Sequence, residues 1–159
     1  MSAAYVHPRG FTLIELMVVT AVLSIMAMLV WPVAEVADAR QRERELREAL
    51  WQIREALDAY KKAVDQGQVA SGNTSGYPPS LDVLVEGVPD AQASEGTMRY
   101  FLRRIPRDPF APRDVPDEKT WGLRSFDSSA DQPHEGSDVY DVHSRSDRVG
   151  TNGVPLRLW

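Results

Sequence analysis

Few residues in this chain combine the types and spacing that chemistry requires. His143, Ser144, Ser146 and Asp147 can be written as base, nucleophile and acid. Adjacent residues on one loop rarely reach catalytic-triad geometry, however. His7, His134 and His143 are scattered along the chain. No spacing suggests a metal triad or a nucleophile beside its base, so the chain is not expected to be an enzyme. The remaining chemical oddity is a charge. In "RGFTLIELMVV", residues 9–19, Glu15 stands near the start of an apolar run that continues to Val33. An acid inside a membrane span is costly and marks a function with a partner.

The element that must hold Glu15 is the run itself. Residues 11–33 contain one charge, two threonines and one serine, and the length suits a bilayer core of about 30 Å. A secretory signal would have a shorter apolar core and a small-residue cleavage site, for which Trp31-Pro32-Val33 is a poor context. A buried core helix would be unusual in so small a domain. A single transmembrane helix is therefore expected. Taken literally, the positive-inside rule puts the carboxy-terminal side in the cytoplasm: only Arg9 and the chain's amino group precede the run, whereas Arg40, Arg42, Arg44 and Arg47 follow it. Pro32 lacks an amide hydrogen and deprives the Met28 carbonyl of its helical partner, which predicts a kink or local melting near residues 28–32. An equal alternative is a proline at the membrane exit beside the interfacial anchor Trp31.

The 159 residues allow one membrane helix plus one small domain, whose core should be modest. A net charge of −5 argues against a general nucleic-acid binder. The absence of cysteine removes disulfides and thiolate zinc sites. Residues 34–66 read as a continuing helix, with Leu46, Leu50, Ile53, Leu57, Tyr60 and Val64 alternating spacings of four and three. Ala49, Ala56 and Ala63 widen that stripe enough to pack against a domain. Arg47, Glu48, Glu55, Asp58, Lys61 and Lys62 belong to the outer face, with Glu43–Arg47 and Asp58–Lys62 as i, i+4 pairs. The glutamates interleaved through "RQRERELRE" cancel much of its positive field, which indicates a solvated or subunit-facing surface.

Gly67 should stop this helix, and residues 67–76 read as a flexible connection. A short helix follows, with Ser80 as candidate N-cap and Leu81, Leu84 and Val85 on one face. Met98, Phe101, Leu102 and Ile105 recur at helical spacing until Pro106. Strands are predicted at 120–126, 138–144 and 154–159, forming one antiparallel sheet over the Leu46 stripe. The fold class is α+β, a long helical stem with a small sheet domain, lollipop-like.

The order Arg9-Gly10-Phe11-Thr12-Leu13-Ile14-Glu15-Leu16, a short basic leader ending in glycine before an apolar helix, resembles the type IV pilin and type II secretion pseudopilin family. The resemblance implies a leader at 1–10, a transmembrane helix at 11–33, a stem helix at 34–66 and a periplasmic domain at 67–159. It also implies cleavage between Gly10 and Phe11 by a prepilin peptidase and N-methylation of Phe11. Glu15 would then pair with the Phe11 amine, its own at i, i+4 or, as in the family, that of a neighbouring subunit. Either pairing lowers the cost of the charge in lipid. Loosening at Pro32 would let the packed helix stretch.

"GYPPSLDVL", "RRIPRDPF", "DVYDVHSRSD" and a terminal Trp159 narrow the resemblance to the major pseudopilins, general secretion pathway protein G; it weakens over residues 114–137. It implies an inner-membrane, single-pass subunit that polymerises into a helical periplasmic fibre and helps export folded proteins. The implied partners are other pseudopilins, the peptidase, an inner-membrane assembly platform and the membrane, without nucleic acid. A type IV pilin or minor pilin-like subunit for adhesion, motility or DNA uptake stays open, as does a membrane-anchored binding domain that never polymerises. The resemblance further implies calcium in "SRSDRVGTNG", residues 144–153, where Asp147 matches the family's loop aspartate and Ser146, Thr151 and Asn152 offer neutral oxygens. Arg145 and Arg148 flank that single acid; Asp138 or Asp141 would have to supply a second charge. A plain turn held by Asp147 is the alternative.

Overall fold

The computed structural model describes residues 10–94 and 96–159, with residues 29–34 given by their backbone alone. The leader expected at 1–10 therefore lies, apart from Gly10, outside the described residues, as do the side chains of Trp31 and Pro32. The chain divides into two compact units, Met1–Ala39 and Arg40–Trp159. One helix, α1 (Leu13–Asp65), runs through the boundary. α1 remains helical through residues 28–32, without the local melting expected there.

Over residues 13–28, α1 is apolar apart from Glu15, Thr20 and Ser24, and the two hydroxyls close onto its own backbone. Thr20 Oγ1 donates to the carbonyls of Leu16 (2.9 Å) and Met17 (3.0 Å), and Ser24 Oγ to that of Thr20 (2.7 Å). Such back-bonding satisfies a hydroxyl where no water is available.

The second unit is built on the predicted stripe. Leu46, Ala49, Leu50, Ile53, Ala56, Leu57, Tyr60 and Ala63 are all buried. Around them pack Leu81, Leu84, Trp121, Val139, Val142 and Leu156. The helix ends at Asp65, and Gly67 takes a positive φ of 69° as its amide donates to Val64 O (2.9 Å). That conformation favours glycine over any residue with a Cβ. Lys61, rather than the expected Lys62, makes the i, i+4 pair near this end, with Asp65.

The fold class is α+β as expected, but the sheet differs. Strand β1 (Val88–Pro89) pairs antiparallel with β2 (Met98–Arg99), and β3 (Trp121–Arg124) with β4 (Asp141–Ser144), giving two two-stranded sheets among the described residues. The third predicted strand, 154–159, gives one bridge between Val149 and Pro155 and then a 3-10 turn, Leu156–Leu158. Pro155 lacks the amide that a continuing ladder needs. Met98 lies in a strand rather than a helix; Phe101 and Leu102 instead donate their amides to the Leu84 carbonyl (3.0 and 2.9 Å). The short helix α2 (Asp82–Glu86) starts after Leu81, not Ser80, and has no side-chain cap.

Tyr60 supplies a test of this core. Its ring meets Phe101 edge-on at 5.3 Å, and burial raises its phenol pKa from 10.0. The unfolded chain therefore releases that proton first, so stability holds below pH 10 and falls as pH rises beyond it. Melting temperatures followed from about pH 9 to about pH 11 should decline. Tyr60→Phe should shrink that decline without removing it, because Tyr77 is also raised, mainly by burial.

Candidate functional site

The amino-terminal end of α1 begins at a cap legible in "TLIE". Thr12 Oγ1 accepts the amide of Glu15 at 3.3 Å, one half of the capping box formed by Thr and a Glu three residues on. Glu15 thus has a local role, as an acid in the first helical turn favoured by the positive end of the dipole. Its carboxylate is exposed and makes no hydrogen bond or ion pair among the described residues. In the uncut chain the Phe11 nitrogen is an amide, so the proposed amine partner exists only after cleavage at Gly10.

Around Glu15 the helix surface is apolar and uncovered. Exposure is 81 % at Phe11, 71 % at Ile14 and 76 % at Met28, and Leu13, Leu16, Met17, Leu23 and Ile25 are also exposed. A contiguous surface of this kind marks a contact with lipid or protein. Among the described residues no helix is long and apolar enough to cross a membrane. The apolar stretch with described side chains ends at Met28, five residues before the end of the run read from the sequence.

The carboxy-terminal loop is held from an unexpected direction. Glu43, expected only as the i, i+4 partner of outer-face Arg47, is itself just 4 % exposed. Its Oε1 accepts the Thr151 amide (2.6 Å) and its Oε2 the Thr151 hydroxyl (2.7 Å), while Arg47 Nη2 stands 3.6 Å from Oε2. The Arg47 guanidinium also lies over the Trp159 ring, 4.6 Å from its centroid. Gly150 permits this packing, because a Cβ there would come within 2.6 Å of Trp159 Cζ2. Below the loop, Arg54 donates to Asp141 Oδ1 (2.8 Å), to the Val142 carbonyl (3.2 Å) and to the backbone oxygen of Trp159 (2.8 Å). Glu43 was recoverable from the sequence. It stands three residues before Leu46, at the next position of the same four-and-three stripe.

The oxygens expected to bind calcium are committed within this arrangement. Thr151 is bound to Glu43, Asn152 Oδ1 accepts the Val154 amide (3.0 Å), and Ser146 Oγ accepts that of Arg148 (3.3 Å). Asp147 is exposed and makes no hydrogen bond among the described residues, so it does not hold the turn either. The acids expected to add charge are spent elsewhere: buried Asp138 accepts the Phe126 amide (2.9 Å), and Asp141 pairs with Arg54. Among the described residues, no three His, Cys, Asp or Glu side chains gather where they could hold a metal ion. Calcium takes six to eight oxygens and needs carboxylates to neutralise it; one exposed aspartate between two arginines does not fit.

The nucleophile and base read from residues 143–147 are likewise not brought together as a triad. Ser144 Oγ donates to buried Asp108 Oδ2 (2.6 Å), while His143 Nδ1 lies 3.0 Å from the Ser144 carbonyl. The His143 ring lies over Gly122, where a Cβ would meet its Cε1 at 2.2 Å. Ser144 and Asp108 join β4 to the Pro106–Phe110 turn, which is a structural task.

Compared with known protein families, residues 7–31 match the prokaryotic N-terminal methylation motif. The match takes in Gly10, Phe11 and Glu15, and supports a pilin-like amino terminus with prepilin cleavage and methylation. None of the curated proteins or solved structures compared with the chain matches it.

Proposed function

We propose that this chain is a pseudopilin-type structural subunit of a type II secretion system, inserted as a membrane precursor, cut after Gly10, methylated on Phe11 and polymerised. The methylation-motif match over residues 7–31 carries this reading. Two features support polymerisation. The apolar surface from Phe11 to Met28 surrounds a single acid whose carboxylate has no partner among the described residues. Further along α1, Trp51 is 66 % exposed beside buried Leu50 and Ile53, on a groove of about 400 Å³ shared with Val154 and Trp159. Head-to-tail packing of such stems gives an open helical array, anchored in the inner membrane with the domain in the periplasm. A type IV pilin subunit would use the same parts, and secretion against piliation in a deletion strain separates the two.

Glu15→Val tests assembly. Insertion and folding should be preserved, because the substitution makes the run more apolar and the Thr12 cap bonds the Glu15 amide rather than its carboxylate. Fibre yield, counted by electron microscopy of overexpressing cells, should fall by about tenfold or more, the scale of losing a charge pair in lipid. Normal fibres and secretion would refute the intersubunit pair, whereas an absence of fibres from the unaltered protein would favour an anchored domain that never polymerises.

A further inference from the structure

We infer that the carboxy-terminal loop is pinned by an internal anion, the Glu43 carboxylate of α1, in the place where a bound cation would otherwise organise it. The Thr151 amide and hydroxyl both point at one buried carboxylate, at 2.6 and 2.7 Å. Bonds to an ionised acceptor are the stronger kind, and Glu43, at 4 % exposure, is largely shielded from competing water. Glu43 is not left as a bare charge, since Arg47 stands 3.6 Å away.

The rest of the loop is built around this contact. Gly150 donates its amide to Val154 O and Gly153 to Gly150 O, each at 2.9 Å, and Leu156 donates to Arg148 O at 2.9 Å. These bonds turn the chain at Thr151 toward α1 and return it to the buried Leu156. A cation at Ser146, Asp147, Thr151 and Asn152 would have to compete with the Asn152–Val154 and Thr151–Glu43 bonds. It would also sit between Arg145 and Arg148. The loop therefore needs no metal, and its order depends on a residue 108 positions earlier in the chain.

The test uses the full chain in detergent micelles, with amide hydrogen exchange of residues 148–154 and the melting temperature as readouts. For the unaltered protein, both should be the same in a calcium chelator and at about millimolar calcium. Glu43→Gln should speed exchange at the Thr151 amide by about tenfold or more, the scale of a lost bond to a charged acceptor. Thr151→Val removes only the hydroxyl bond at an exposed position, so that variant should fold and show a smaller increase; Thr151→Ser should restore protection. Slower loop exchange or a higher melting temperature with calcium would overturn the inference. So would unchanged exchange in Thr151→Val, even if Glu43→Gln did not fold.

Discussion

Gly10→Val should accumulate as uncut precursor, with no mature subunit detectable by intact-mass and amino-terminal analysis of the membrane fraction. The side chain added at Gly10 meets nothing in this protein, since no heavy atom lies within 4 Å of its Cβ position. Its φ is not among the positive values that favour glycine. A processing failure would therefore report the space available in the peptidase, not damage to the subunit. In the unaltered chain, cleavage should move the formal charge from −5 to −6 as Arg9 leaves with the leader. An amino terminus at Phe11 in the valine variant, or at Met1 in the assembled unaltered protein, would refute the processing scheme.

Trp121→Ala should lower unfolding free energy by about 3–5 kcal/mol, the usual range for truncating a buried aromatic residue. Trp121 is 1 % exposed at the start of β3, where it packs with the α1 stripe, and its Nε1 donates to Pro106 O at 2.8 Å. Truncation would remove core surface and unpair a carbonyl together. Small domains have about 5–15 kcal/mol in all, so much of the second unit's stability depends on this side chain. Denaturant unfolding in detergent measures it, with Trp51→Ala as the internal contrast. Trp51, being 66 % exposed, should change stability by no more than about 0.5 kcal/mol. Equal losses in the two variants would contradict the burial pattern.

What was readable from the sequence follows the range of the forces involved. The stem helix, its buried stripe and its end at Gly67 are set by local periodicity and backbone preference, and all three appear as read. β3 and β4 lie within the predicted windows, where Trp121, Leu123 and Val142 supply the apolar side chains. The third strand failed where Pro155 interrupts the ladder, and Met98 was misassigned because a four-residue apolar spacing does not separate helix from strand-plus-turn. In the candidate site, Gly10, Phe11 and Glu15 belong to one local string, within the residues 7–31 that match the methylation motif. Glu43 falls in a charged stretch that reads as a solvated or subunit-facing surface, although its spacing places it on the buried stripe. Its partner Thr151 depends on long-range folding that no local pattern encodes.

The closure of Thr20 and Ser24 onto their own helix has a consequence for how one stem could find its place beside another. With those hydroxyls spent, sliding a neighbouring stem along this surface exchanges one apolar contact for another at little cost. Glu15 alone gives the surface a zero mark. A slip by one helical turn, about 5.4 Å, would leave packing nearly unchanged but separate the acid from its amine. In the proposed fibre, the axial step between subunits would then be set electrostatically while cohesion came from apolar contact, so step length and strength could be altered independently.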